Sequence, residues 1–215
     1  MQEKLEEIYS CLSGQRMSKY QCLGVEPLDL YKWNIALSEA LYPLLHTIEI
    51  AMRNRLHIEI GQLLNDQKWL LNRNEQILER LNENWQQKID HYIRALRKKG
   101  KLDEGHLVAE LSFGFWTALL SGPFEHRKLL WPQLKSTVFP NAHGFSIDKI
   151  RKRFDKIRGL RNRIFHYGSI WHWGNLAEQH EVLIEAIKWI NPALLHVIQV
   201  DRFNSVYARR PSGKK

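Results

Sequence analysis

A chain of 215 residues with 44% hydrophobic residues and eight tryptophans can bury one sizeable core, and its length favours a single unit. Its 32 Lys and Arg against 23 Asp and Glu give a net charge of +9, which points to a polyanionic partner, nucleic acid before an anionic membrane surface. Cys11 and Cys22 match no metal-ligand spacing and make a poor disulfide framework, which argues against disulfide-scaffold and thiolate-metal classes and for a reducing, cytoplasmic setting.

The N-terminus, M-Q-E-K-L-E-E-I, is charged throughout and does not read as a signal peptide. Leu5 to Leu12 reads as a short helix, broken by S-G-Q-R. Asp29 can cap a long helix running to about Leu64, with Trp33, Leu37, Leu41, Leu44, Ile48, Met52 and Leu56 along one face. Pro43 lies inside it and predicts a kink. Asn74 opens a second helix carrying Ile77, Leu81, Trp85, Ile89, Tyr92 and Leu96, ended by R-K-K-G at Gly100.

Asp103 opens a third helix, apolar on most sides and therefore central, which stops at Ser121-Gly122-Pro123. Its apolar run, Leu107 to Leu120, contains Glu110 and falls short of the ~20 residues of a membrane span, so no membrane partner is expected. A shorter basic helix follows to Leu130. The segment from Trp131 to Phe145, with Pro132, Pro140 and Gly144, reads as a loop. Ser146 is a plausible N-cap for a fourth long helix ending near His166. A last helix runs from Asn175 to Ile190 and closes at Asn191-Pro192. Residues 201–215 read as a basic mobile tail. The expected class is all-α, four to five main helices in one bundle over residues 1–200.

The fourth long helix carries the chemistry. Ile147, Ile150, Phe154, Ile157, Leu160 and Ile164 form one apolar stripe, surrounded by Lys149, Arg151, Lys152, Arg153, Lys156, Arg158, Arg161 and Arg163 against only Asp148 and Asp155. Like charges at helical spacing repel, and phosphates would supply the missing counter-charge. The bland alternative is a solvated helix face. The segment ends G-L-R-N-R-I-F-H-Y-G, from Gly159 to Gly168. At ~100° per residue, Asn162 and His166 share a face, while Arg161 stands about 140° from His166 and must reach around. A fixed cation, an amide and a group that exchanges protons near neutral pH suit attack on a phosphodiester. Lys156, Arg158 and Arg163 are candidate RNA-binding cations on the approach, and Tyr167 offers a stacking surface. A lone histidine at a helix end is more often structural, and that reading stands beside the catalytic one.

R-N-R-I-F-H resembles the Arg-polar-x3-His signature of HEPN domains, α-helical ribonucleases of prokaryotic defence and toxin systems. Three ordered blocks, Tyr31 to Leu56, Val108 to Trp116 and Leu160 to His166, resemble the Abi-like (abortive infection) family, and together they span about residues 31–170. The resemblance implies a HEPN-like bundle and a metal-independent endoribonuclease acting in phage defence or as a toxin. It implies a homodimer with both His-bearing helices lining one cleft, and leaves an antitoxin or other regulatory partner unidentified. By position, Arg161 would stabilise the phosphorane, His166 would act as general base or acid, and Asn162 would orient the histidine or a phosphate oxygen. RNA is the expected partner, with no metal and no cofactor. Many Abi-like sequences continue with a second His and an acidic-Pro pair, where this chain has Tyr167-Gly168-Ser169. Toxins controlled by a nucleotidyltransferase often carry Tyr two residues after the histidine, where this chain has Gly168.

A partial echo, R-N-R-L-H from Arg53 to His57, lies behind Glu49, which is placed to pair with Arg53 at i,i+4. Arg53 and Asn54 either join the same cleft and hold RNA or form an ordinary surface ion pair. Trp171, His172 and Trp173 either stack bases or close the core, and Gly114 in S-F-G-F-W is expected to permit close helix approach. The competing function is a non-catalytic RNA- or protein-binding module of the same fold. A basic DNA-binding regulator ranks last, since no helix-turn-helix is legible.

Overall fold

The computed structural model of the chain describes residues 2–125 and 129–212. Those residues are mostly helical and contain no strand, only an isolated bridge between Cys22 and Val25. The principal helices are α1 (Gln2–Leu12), α2 (Pro27–Leu63), α3 (Glu83–Lys98), α4 (Glu104–Glu110), α5 (Phe113–Ala118), α6 (Ile147–Phe165), α7 (Leu176–Ile190) and α8 (Arg202–Tyr207). None of them is long and apolar enough to cross a membrane.

Helix α2 is the spine. Pro27 occupies its first turn, where a missing N–H costs nothing, so the helix starts two residues before Asp29. It runs as one helix through Pro43, and the whole expected stripe from Trp33 to Leu56 is buried, extended by Ile60. Helices α6, α7 and α8 all pack on it. The core also packs aromatic side chains from α5, α6 and the 131–139 segment at tilted angles, Phe113, Phe139 and Phe154 among them. Each fully buried ring of this kind contributes about 1.5–3 kcal/mol.

Several sequence expectations change. The helix expected from Asn74 to Gly100 is split: Glu75–Leu78 forms one turn and α3 starts afresh at Asn82, whose Oδ1 accepts from the Trp85 N–H. Gln86 Nε2 donates to the carbonyls of Leu78 and Leu81, both at 2.9 Å, so the break leaves those acceptors satisfied. The third helix is also split, at Leu111-Ser112, where the Trp116 indole donates to the Leu111 carbonyl at 3.3 Å. The 131–145 loop contains a helical turn, Lys135–Val138. The short basic helix expected before Leu130 falls partly on residues 126–128, outside the described residues; Gly122–Glu125 forms a turn.

The stretch read as a mobile tail begins with α8. Phe203 is buried, and the Trp33 indole donates to the Val206 carbonyl at 3.0 Å. Gly114 serves no close approach: a Cβ there would sit 3.5 Å from Trp85, an ordinary contact. Cys11 and Cys22 are exposed and free.

Candidate functional site

Helix α6 forms as its sequence dictates. Ser146 caps it by accepting from the Lys149 N–H at 3.3 Å, and all six apolar positions of the stripe are buried. That burial fixes the roll of the helix and turns its last-turn polar residues toward the crossing with α2.

At the crossing, Arg161 meets Glu49. Nε donates to Oε2 at 3.0 Å and Nη2 to Oε1 at 3.3 Å, a two-point arrangement that holds the guanidinium plane. Nη1 donates to Asn162 Oδ1 at 3.3 Å. The guanidinium carbon stands 4.3 Å from the Phe165 ring centroid, close enough for cation–π attraction. Phe165 in turn stacks on Tyr42 of α2 at 5.5 Å, and Tyr42 on His46 at 5.8 Å. Arg161 therefore touches its neighbour Asn162 and is held by Glu49 of α2, and its guanidinium makes no hydrogen bond to the His166 imidazole among the described residues. The expected Glu49–Arg53 pair does not form. Glu49 belongs to Arg161, and Arg53 Nε donates to Asn54 Oδ1 at 3.2 Å.

His166 is the C-cap of α6. Its N–H bonds the Asn162 carbonyl at 3.0 Å and its imidazole is exposed. The chain then closes a Schellman motif: Tyr167 N–H to Ile164 carbonyl at 2.9 Å and Gly168 N–H to Arg163 carbonyl at 2.7 Å. Tyr167 takes the left-handed position, φ +58°, that such motifs usually give to glycine. Holding a non-glycine residue there costs about 1–2 kcal/mol. Gly168 answers a different constraint. A Cβ on it would lie 2.3 Å from Arg163 Cδ and 2.8 Å from the Arg163 carbonyl oxygen, so nothing larger fits.

The exit from the motif is pinned on several sides. Arg163 bonds the Ser169 carbonyl at 3.1 Å and its hydroxyl at 3.3 Å. Buried Asn34 of α2 accepts from the Ile170 N–H at 2.7 Å and the Trp171 N–H at 3.2 Å. Arg16 Nη2 donates to the Tyr167 carbonyl at 2.7 Å, and the Trp171 indole to the Lys19 carbonyl at 3.1 Å. Asn34, Glu49 and Arg16 were absent from the sequence-level candidates for this site, because their partners lie far away in the chain.

The basic approach is more neutral than its sequence suggests. Asp148 pairs with Arg151 and Lys152, Asp155 with Arg151 and Arg158, and Glu185 of α7 with Arg153. Arg163 is committed to Ser169. Lys156 lines a different cavity of about 270 Å³ with Trp173 and Glu178. Asn54 lines another, with Arg55 and Pro140. In the echo motif, Arg55 bonds Glu59 at 3.2 Å and the Thr137 carbonyl at 2.8 Å, and His57 packs on Trp69. Burial pushes the His57 imidazole below its usual range. His172 is lowered too, by burial and by the Arg163 charge.

Among the described residues, no group of three or more His, Cys, Asp or Glu side chains could hold a metal ion. What the arrangement offers is a held guanidinium, an amide touching it and an exposed imidazole one turn on. No family model matches the chain, and no match is found among curated proteins or solved structures. Fold and site thus define an all-α protein with an Arg161–Asn162 contact at a helix end and an exposed His166 as its C-cap.

Proposed function

We propose that the chain is a metal-independent endoribonuclease of the HEPN type, acting in phage defence or as a toxin. One observation carries the reading: Arg161 touches Asn162 and is oriented by Glu49 at the helix turn that ends in the exposed His166. In the proposed reaction the 2′-hydroxyl attacks its own phosphate. The 2′-O–P bond forms, the P–O5′ bond breaks, and the hydroxyl proton passes to a base while the departing 5′-oxygen gains one. His166 serves as that base or acid. Arg161 stabilises the phosphorane charge, and Asn162 orients the phosphate or the imidazole. The products are a 2′,3′-cyclic phosphate and a 5′-hydroxyl. In a homodimer a second Arg161–His166 set would let one histidine act as base and the other as acid. The net charge of +9 supports an RNA partner.

A second reading, a non-catalytic RNA- or protein-binding module, is favoured by the Glu49 pair, which already neutralises Arg161. A labelled RNA carrying 2′-deoxy or 2′-O-methyl sugars throughout separates the two. Binding without cleavage of the modified strand, beside cleavage of the unmodified one, supports the nuclease. Binding without cleavage of either supports the module.

A further inference from the structure

Beside Arg161, Asn162 and His166 lies a groove of about 600 Å³ between α2 and the turn that ends α6. Its walls include Ile35, Tyr42, Pro43 and Tyr167. Three of these are large apolar side chains left open to solvent: Ile35 at 49%, Tyr42 at 48% and Tyr167 at 76%. Such clustering marks a binding surface, whereas single exposed apolar residues do not.

We propose that this groove is a nucleobase-binding subsite for single-stranded RNA, with the Tyr167 ring as its stacking platform. For the identity of its strand the subsite rests on the ribonuclease reading. Backbone strain supplies the first argument. Glycine would meet the left-handed position at no steric cost, yet the chain holds a tyrosine there, and Arg16 fastens its carbonyl at 2.7 Å. Strain retained in a fold that could shed it by one substitution points to a use for the side chain. The ring so placed is the most exposed wall of the groove.

Continuity supplies the second argument. Tyr42 forms the groove wall and stacks on Phe165, whose ring carries the Arg161 guanidinium 4.3 Å above it. Two stacked rings, Tyr42 and Phe165, thus separate the groove from the Arg161 guanidinium, and a base next to a phosphate on Arg161 would lie toward it. Charge supplies the third. Arg16 and Arg202 line the same groove, and Glu39, the one acidic residue lining it among the described residues, is engaged by Arg202 at 2.6 Å. Aromatic rings set among arginines suit a strand that stacks its bases and carries phosphates. Glu39 already answers Arg202, so the charge argument rests on Arg16, which donates to the neutral Tyr167 carbonyl.

The test uses a single-stranded 2′-O-methyl RNA containing 2-aminopurine, which cannot be cleaved by 2′-hydroxyl attack and whose emission falls on stacking. Affinity and emission are measured with the full chain and with Tyr167→Gly and Tyr167→Phe. Tyr167→Gly keeps or raises thermal stability, because glycine suits φ +58°, so lost binding would not reflect unfolding. The expected result is quenching by the parent chain, affinity lower by about tenfold with quenching lost in Tyr167→Gly, and both kept in Tyr167→Phe. Unchanged affinity and emission in Tyr167→Gly overturn the subsite, even if the parent chain cleaves ordinary RNA. Quenched binding that depends on Tyr167, in a parent chain that leaves ordinary RNA intact, supports the subsite and overturns the ribonuclease. If Tyr167→Gly dissociates a dimer and leaves RNA affinity untouched, a second copy fills the groove and the subsite falls.

Discussion

Glu49 and Arg161 are 112 residues apart in the chain and meet where α2 crosses α6, the carboxylate gripping Nε at 3.0 Å and Nη2 at 3.3 Å. Their side chains are 19% and 21% exposed, so the pair stands between a surface salt bridge and a buried one. Exposed pairs contribute about 0–1 kcal/mol, while breaking a buried pair costs about 3–5 kcal/mol. A double-mutant cycle with Glu49→Gln and Arg161→Met should therefore give a coupling of about 1–2 kcal/mol in urea unfolding. Additive single effects would show that the contact does not anchor the crossing.

Asn34→Leu should be more damaging than its single side chain suggests. It removes the acceptor for two backbone donors, those of Ile170 and Trp171, and buries the gap. Each orphaned donor costs about 1–3 kcal/mol, so the midpoint of urea unfolding should fall sharply. A change under ~0.5 kcal/mol would mean that water or a relaxed backbone replaces Asn34.

Gly168 and Tyr167 should respond in opposite directions. Gly168→Ala drives a methyl into Arg163, carbonyl oxygen included, and should destabilise by about 1–3 kcal/mol. Tyr167→Gly should leave the melting temperature level or higher. Equal losses in both variants would contradict the Schellman geometry described for residues 163–168.

Acid sensitivity should come in part from His180. The imidazole is buried on α7, stacked on Phe203 of α8 at 4.4 Å. Burial pushes it below the usual histidine value of 6.5, and Glu181 and Asp201 offset this only in part. Between the folded-state value and 6.5 the unfolded chain binds more protons, so stability rises with pH through that window and is lost as pH falls below 6.5. His57, lowered in the same direction, adds to the slope. Glu104 is raised by burial, and works oppositely above 4.5, the folded chain holding its proton longer. Thermal melts at pH 7.5 and 5.5 should show a smaller drop in His180→Phe than in the parent chain. An equal drop would assign the sensitivity elsewhere.

Much of the fold could be read from spacing, because helix caps and apolar stripes are local. Ser146, the six buried positions of α6 and the buried face of α2 are examples. Breaks at Asn82 and Ser112 were hidden because the apolar rhythm continues across them. What decides them is a side chain satisfying the freed carbonyls, Gln86 in one case and Trp116 in the other. Glu49 was assigned to Arg53 because i,i+4 neighbours are visible in sequence and partners 112 residues away are not. Gly168 is the residue a helix-stop pattern would place in the left-handed position. The left-handed residue is Tyr167 beside it, a distinction made only by the Arg163 carbonyl against which Gly168 packs. Charge counting likewise overstated the α6 approach, since Asp148, Asp155 and Glu185 each engage its cations.

Cleavage in the absence of metal tests the central proposal most directly. The purified full chain and its His166→Ala variant are incubated with end-labelled single-stranded RNA in EDTA, beside DNA of the same sequence. The expected result is cleavage of RNA alone, leaving 2′,3′-cyclic phosphate ends, and its loss in His166→Ala with folding and RNA binding unchanged. Cleavage that EDTA abolishes, or that His166→Ala leaves intact, would contradict it.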